Sequence, residues 1–288
     1  MDDHLSIGKM RHIGRSTLTV ANANYASWIC TSRTVLLLIF VLILGFLEVM
    51  GTREMLALRE WHIGAVETIY HHLAYGCNIL MSSVMFFVMI SELPQRISFQ
   101  NYAFIRSSRM QWLVGQIVYC IEMVCTMIML LALCSFFFSL GSIDFSWGWS
   151  DKARVAEGMP ENFALAHAAV RNAMPPLQAI FYAALPLFFF WFSMAMVILA
   201  CSLSGAPAVG LLICAVALLS SVIVNTLAFA SEPTWLPLRY ATLRSILDIG
   251  LPYGSIIAGY TLLNGAIILF MFLRIRKADM TFHIESNA

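Results

Sequence analysis

The run Ser91–Gln116, SELPQRISFQNYAFIRSSRMQWLVGQ, decides how this chain is read. It is the most polar and basic stretch between two long apolar segments, Ile69–Ile90 and Leu113–Leu140. Each neighbour is long enough to cross a bilayer, which takes about 20 apolar residues. Pro94 suits the first turn of a new helix and cannot extend the preceding one cleanly. Phe99, Tyr102, Ala103, Met110 and Leu113 then share one helical face, with Arg106 near it. Gln95, Arg96, Gln100, Asn101 and Ser107 occupy the others. Aromatic and arginine side chains are the usual anchors of protein contacts. Three arginines alone would suit anionic headgroups. The aromatic stripe and the glutamines favour a protein partner.

Composition sets the class. The chain has 288 residues, 60% hydrophobic and 11% charged, where a soluble domain carries about 25% charged residues. Lipid is therefore the solvent for most of it. The net charge of +1 gives no field that would draw nucleic acid. The seven cysteines lie in or beside apolar segments, none in C-x-x-C spacing, and read as small buried hydrophobes.

Six apolar segments are expected to span: Thr34–Gly51, Ile69–Ile90, Leu113–Leu140, Ala179–Leu203, Pro207–Ala230 and Leu251–Leu273. Pro186 should kink the fourth. Only Ser204-Gly205-Ala206 separates the fourth from the fifth, which makes them an antiparallel hairpin. Before the first span, Leu18, Ala21, Tyr25, Trp28 and Ile29 recur at helical spacing. They predict an amphipathic helix lying in the interface, where Tyr and Trp are favoured. The fold class is thus all-α: a polytopic membrane protein of six transmembrane helices behind an N-terminal interfacial helix. It divides into an N-terminus over 1–33, a transmembrane domain over 34–273 and a tail over 274–288. The inner loop is 91–112, and the outer loops are 52–68, 141–178 and 231–250. With both ends inside, ten Lys and Arg fall on the inner side and seven on the outer, the bias expected of cytoplasmic termini. Phe163–Ala173 and the segment after Pro237 are expected to form short helices in the outer loops.

Catalytic signatures are missing. There is no G-x-x-x-x-G-K-[ST] phosphate loop and no H-E-x-x-H. Ser202-Leu203-Ser204-Gly205 superficially matches an intramembrane serine-protease motif, but the leading glycine and a histidine in the last helix are missing. His71 and His72 point about 100° apart on a helix. Glu67 and His71 share a face, yet no third ligand is visible, so a metal site is not expected. Intramembrane carboxylates are costly and face protein or water. Glu48 lies near a helix end. Glu122 is deeper, and its two readings stay open. It is a polar contact on a substrate path or subunit seam, or a structural hydrogen bond to Asn78, Asn225 or Asn264.

This plan, and the string ELPQRISFQNYAFIRSSRMQWLVGQ most of all, resembles the membrane subunits of type-2 ATP-binding-cassette (ABC) exporters of bacteria. The resemblance covers nearly the whole chain and lies in architecture more than in invariant residues. The outer loop 141–178 is longer than in many relatives. The resemblance implies a cell-membrane permease that pairs with a second permease subunit, identical or similar. Two cytoplasmic ATPase subunits, which carry the ATP and Mg, would dock on the inner loops. Pro94, Gln95, Arg96, Phe99, Gln100, Tyr102 and Arg106 would receive their motion. The cargo class would be peptide, drug or lipid, and the chain itself would bind no cofactor and hydrolyse nothing. Two rival readings are a secondary transporter and a non-transporting immunity or assembly factor. The first should show internal repeats and midplane charges; no convincing repeat is present, and only Glu122 is a candidate deep charge.

Overall fold

The computed structural model describes residues 17–57, 63–94, 108–140, 143–144, 148–150, 168–226, 237–243, 246–247, 250 and 252–277. Among these the chain is helical apart from one short pairing. In order come α1 (Thr17–Ile29), α2 (Ser32–Ala57), β1 (Ile63–Gly64), α3 (Ala65–Ala74) and α4 (Gly76–Ile90). Then follow α5 (Arg109–Ser139), β2 (Ile143–Asp144), α6 (Ala168–Ala173), α7 (Pro176–Leu203) and α8 (Pro207–Thr226). A 3-10 turn over Pro237–Ala241 precedes α9 (Tyr253–Lys277). The two-residue strands pair in parallel, Ile63 with Ile143 and Gly64 with Asp144.

Among the described residues three helices are long and apolar enough to cross a membrane: α5, α7 and α9 over Tyr253–Arg276. The number reaches five if each of two bent pairs is one span. One pair is α1 with Ser32–Leu47, bent by 67°. The other is Val66–Ala74 with α4, bent by 69°. In α8 the apolar stretch that qualifies is the shorter Pro207–Ser220. The expected single helix over Ile69–Ile90 is therefore corrected to two. Tyr75 adopts an extended conformation (φ −78°, ψ 119°) and acts as C-cap of α3 and N-cap of α4. Gly76 follows, a residue about 1 kcal/mol worse than Ala inside a helix.

Local chemistry explains most boundaries. Ser108 caps α5: its hydroxyl accepts from the Gln111 N–H at 3.3 Å, and the Gln111 side chain accepts from the Ser108 N–H at 2.8 Å. Pro176 opens α7, where its missing N–H costs nothing. Gly205 at φ +80° ends it, with Gly205 N–H on the Ser202 carbonyl and Ala206 N–H on that of Cys201. That left-handed glycine closes both bonds of a Schellman cap and turns the chain into α8. Pro186 lies within α7 and leaves the Tyr182 carbonyl without its intrahelical donor. The Tyr253 hydroxyl of α9 fills that gap at 3.2 Å.

The core centres on α7. Of its apolar window 67% is buried, against 33% for α5 and 17% for α9. Trp191 stacks on Phe86 of α4 (5.1 Å between centroids, 17°), and its indole N–H donates to Ser83 at 2.8 Å. The expected helix over Phe163–Ala173 is described only from Ala168, and the segment after Pro237 begins as a 3-10 turn.

Candidate functional site

One end of the bundle gathers the roots of the polar loop. At the first root, the Arg33 guanidinium pairs with Glu92 at 2.5 Å and donates to the Ser91 hydroxyl at 3.3 Å. The Ser202 hydroxyl, from the last turn of α7, donates to the Leu93 carbonyl at 2.9 Å. Leu93 is buried, and Pro94, joined to it by a cis peptide bond, is half-buried. Residues as far apart in sequence as Arg33 and Ser202 thus meet at this root, where the first turn of α2 and the ends of α4 and α7 converge. The second root is the Ser108 cap of α5. Of the expected coupling residues, Pro94 alone is placed. Gln95, Arg96, Phe99, Gln100, Tyr102 and Arg106 lie outside the described residues.

The opposite end is tied differently. Glu67 is fully buried (0% exposed). Its carboxylate accepts from the Ser150 N–H, from the Ser150 hydroxyl at 2.9 Å and from the Gly64 N–H at 3.3 Å. Trp149 donates from its indole to the Met174 carbonyl at 2.8 Å and packs edge-on against Tyr70. Ser135 on α5 donates to the Thr68 carbonyl at 3.0 Å. His72 is buried, and His71 stacks on Tyr75 at 5.2 Å. Among the described residues no group of three or more His, Cys, Asp or Glu side chains is arranged to hold a metal.

The interior polar residues separate rather than converge. Asn264 on α9 is buried and donates to the Ser193 hydroxyl at 2.9 Å and the Tyr260 carbonyl at 3.0 Å. Its Nδ2 is therefore taken up by Ser193 of α7 and by Tyr260 of its own helix, while its Oδ1 has no partner among the described residues. Glu122 is half-buried on α5, and among the described residues its Oε2 has no hydrogen-bond partner. Asn78 on α4 likewise holds an unpartnered Nδ2. Asn225 lies on α8 with its side chain outside the described residues, and the side chain of Glu48 on α2 is outside them too. Among the described residues no hydrogen bond joins Glu122 to Asn78 or Asn264, and the third expected partner, Asn225, has its side chain outside them.

The amphipathic pattern over 18–29 did not anticipate where α1 packs. Val20 sits against Gly115 of α5, so tightly that a Cβ on Gly115 would lie 2.8 Å from Val20 Cγ1. Tyr25 reaches Thr126 of α5 at 2.7 Å. Thr126 already donates to the Glu122 carbonyl, so here it accepts from Tyr25. Around these contacts, Asn24 Nδ2, Trp28 Nε1, Gln116 Nε2 and Oε1, and the Tyr119 hydroxyl are buried without partners among the described residues. Each such group costs about 1–3 kcal/mol when left unmade. Gln116 was the legible signal, an amide inside an apolar run.

No family model, curated protein or solved structure matches this chain.

Proposed function

We propose that this chain is the membrane subunit of an ATP-driven exporter, with six spanning helices and both termini cytoplasmic. Its polar loop 91–112 is the surface on which a separate ATPase subunit docks. The reading is supported by one observation above all. The first root of that loop is joined to α2 through Arg33 and to α7, the central helix, through Ser202. A push on the loop therefore reaches the middle of the bundle through direct bonds. Two permease subunits and two ATPases would form the working unit, with peptide, drug or lipid-like cargo passing between the permeases. Glu122, whose buried oxygen is unpartnered among the described residues, is a polar contact available to that path. ATP and Mg belong to the partner.

The test is co-purification. The chain, co-expressed with each candidate ABC-type ATPase subunit of its source genome, should retain one of them through detergent extraction. Phe99→Ala with Tyr102→Ala should release it. Cargo movement by the purified chain alone, without any nucleotide-hydrolysing partner, would sink the reading.

A further inference from the structure

We infer that α1 is an exchangeable strap with two resting places, the face of α5 and the phospholipid headgroup layer. Three observations carry this.

The first is the docked interface itself. Val20 lies over Gly115, and one turn further along each helix come Asn24 and Tyr119, on the same stripes. Asn24 is 3% exposed, Trp28 3%, and Gln116 and Tyr119 are both 0%. All four carry polar atoms with no partner among the described residues. Close packing therefore holds α1 on α5 while unmade hydrogen bonds oppose it. Lifting α1 away lets water and headgroup oxygens reach the three N–H donors and the Tyr119 hydroxyl.

The second is the bend between α1 and α2. The Trp28 carbonyl accepts from the Thr31 N–H (3.0 Å), the Thr31 hydroxyl (2.8 Å) and the Thr34 hydroxyl (2.6 Å). Two of these donors lie in the bend and one in the first turn of α2, and none on α5, so the joint keeps its own bonds whether or not α1 is docked.

The third is the character of α1. Leu18 (53% exposed) and Ile29 (48%) stay uncovered in the docked position, while Tyr25 and Trp28 form a ring pair 5.5 Å apart. Apolar residues with a Tyr and a Trp suit the boundary between headgroups and acyl chains. The bend starts beside the Arg33–Glu92 pair, where the apolar bundle gives way to charge. The partner is therefore a phospholipid surface. Neither state requires an ATPase.

The test uses the full chain in phospholipid nanodiscs. Hydroxyl-radical footprinting compares Trp28 with Trp191, which is 0% exposed and bonded to Ser83. Trp28 should oxidise several-fold faster than Trp191. The Gln116→Leu, Tyr119→Phe variant removes polar atoms that disfavour docking, and it should slow that oxidation. A phospholipid with a photoreactive headgroup should attach to the peptide 17–29 in the natural chain and less in the variant. Trp28 as protected as Trp191 in the natural chain would overturn the strap, and that comparison needs no variant. Oxidation without headgroup attachment would mean that water alone enters, and would overturn the lipid partner. Faster oxidation in the variant would overturn the assigned role of the unmade bonds.

Discussion

The two ends of this bundle are fastened by opposite means. At one end Glu67 is wholly enclosed and receives three hydrogen bonds, two from Ser150 and one from Gly64. At the other, Arg33 and Glu92 meet with side chains 40% and 56% exposed. Both ends use a carboxylate to join segments distant in sequence. The enclosed one is held where dielectric screening is weak and each lost partner leaves a stranded donor. The open one is screened by solvent and salt and held by two flexible side chains. The difference teaches where the bundle is rigid and where it gives. The loop proposed to receive an ATPase is rooted at the yielding end.

The comparison breaks first at Glu67. Glu67→Ala removes three hydrogen bonds to a fully buried carboxylate and should give the largest loss, about 3 kcal/mol at about 1 kcal/mol per bond. Reversible unfolding in mixed micelles would measure it. A loss no greater than that of Arg33→Ala would abolish the distinction between the ends. A smaller effect at the same end is expected from Tyr253→Phe. It returns the Tyr182 carbonyl, freed by Pro186, to an unpaired state and should cost about 1 kcal/mol. Full stability in Tyr253→Phe would show that Pro186 leaves nothing for α9 to satisfy.

At the open end Ser202→Ala should cost about 0.5–1.5 kcal/mol, the net worth of one hydrogen bond. If the loop transmits force, that variant should also lower ATPase coupling more than stability. Unchanged coupling would disconnect α7 from the loop. The smallest effect belongs to Arg33→Ala, at about 0.2–1 kcal/mol, shrinking further as salt rises. A double-mutant cycle with Glu92→Ala at low and high salt reads it directly. A salt-independent coupling energy would place that pair in the same class as Glu67.

Much of the helical framework was legible beforehand. The apolar runs over 113–140 and 179–203 appear as α5 and α7, because a helix satisfies the backbone of a long apolar run from within the run itself. The Ser108–Gln111 cap and the Gly205 turn follow from neighbouring residues in sequence. The break at Tyr75 was not legible. The apolar run continues through it, and Gly76 alone is a weak signal against a favourable hydrophobic pattern. Of the six expected spans, three to five are matched among the described residues by helices that meet the length and hydropathy requirement. Of the candidate site, Pro94 and the loop roots are placed, while the aromatic stripe lies outside the described residues. Glu122 was found from its setting, an acid in an apolar run. The Glu67–Ser150 and Asn264–Ser193 bonds join positions 83 and 71 residues apart, and no periodicity reports such a pairing.

What the sequence determined by itself is the building units. Hydrophobic content and run length fix apolar helices, several of them long enough to cross a membrane, and local caps and glycines fix where many helices stop. What only the tertiary structure decided is which polar atoms meet. It placed Ser202 under Leu93, closed Ser150 over Glu67, and set α1 against α5 with its amide and indole donors unmet. Hydrophobic patterning counts how much surface must be hidden. Hydrogen bonding requires two particular atoms within about 3 Å at a workable angle, and packing alone brings distant residues to that distance.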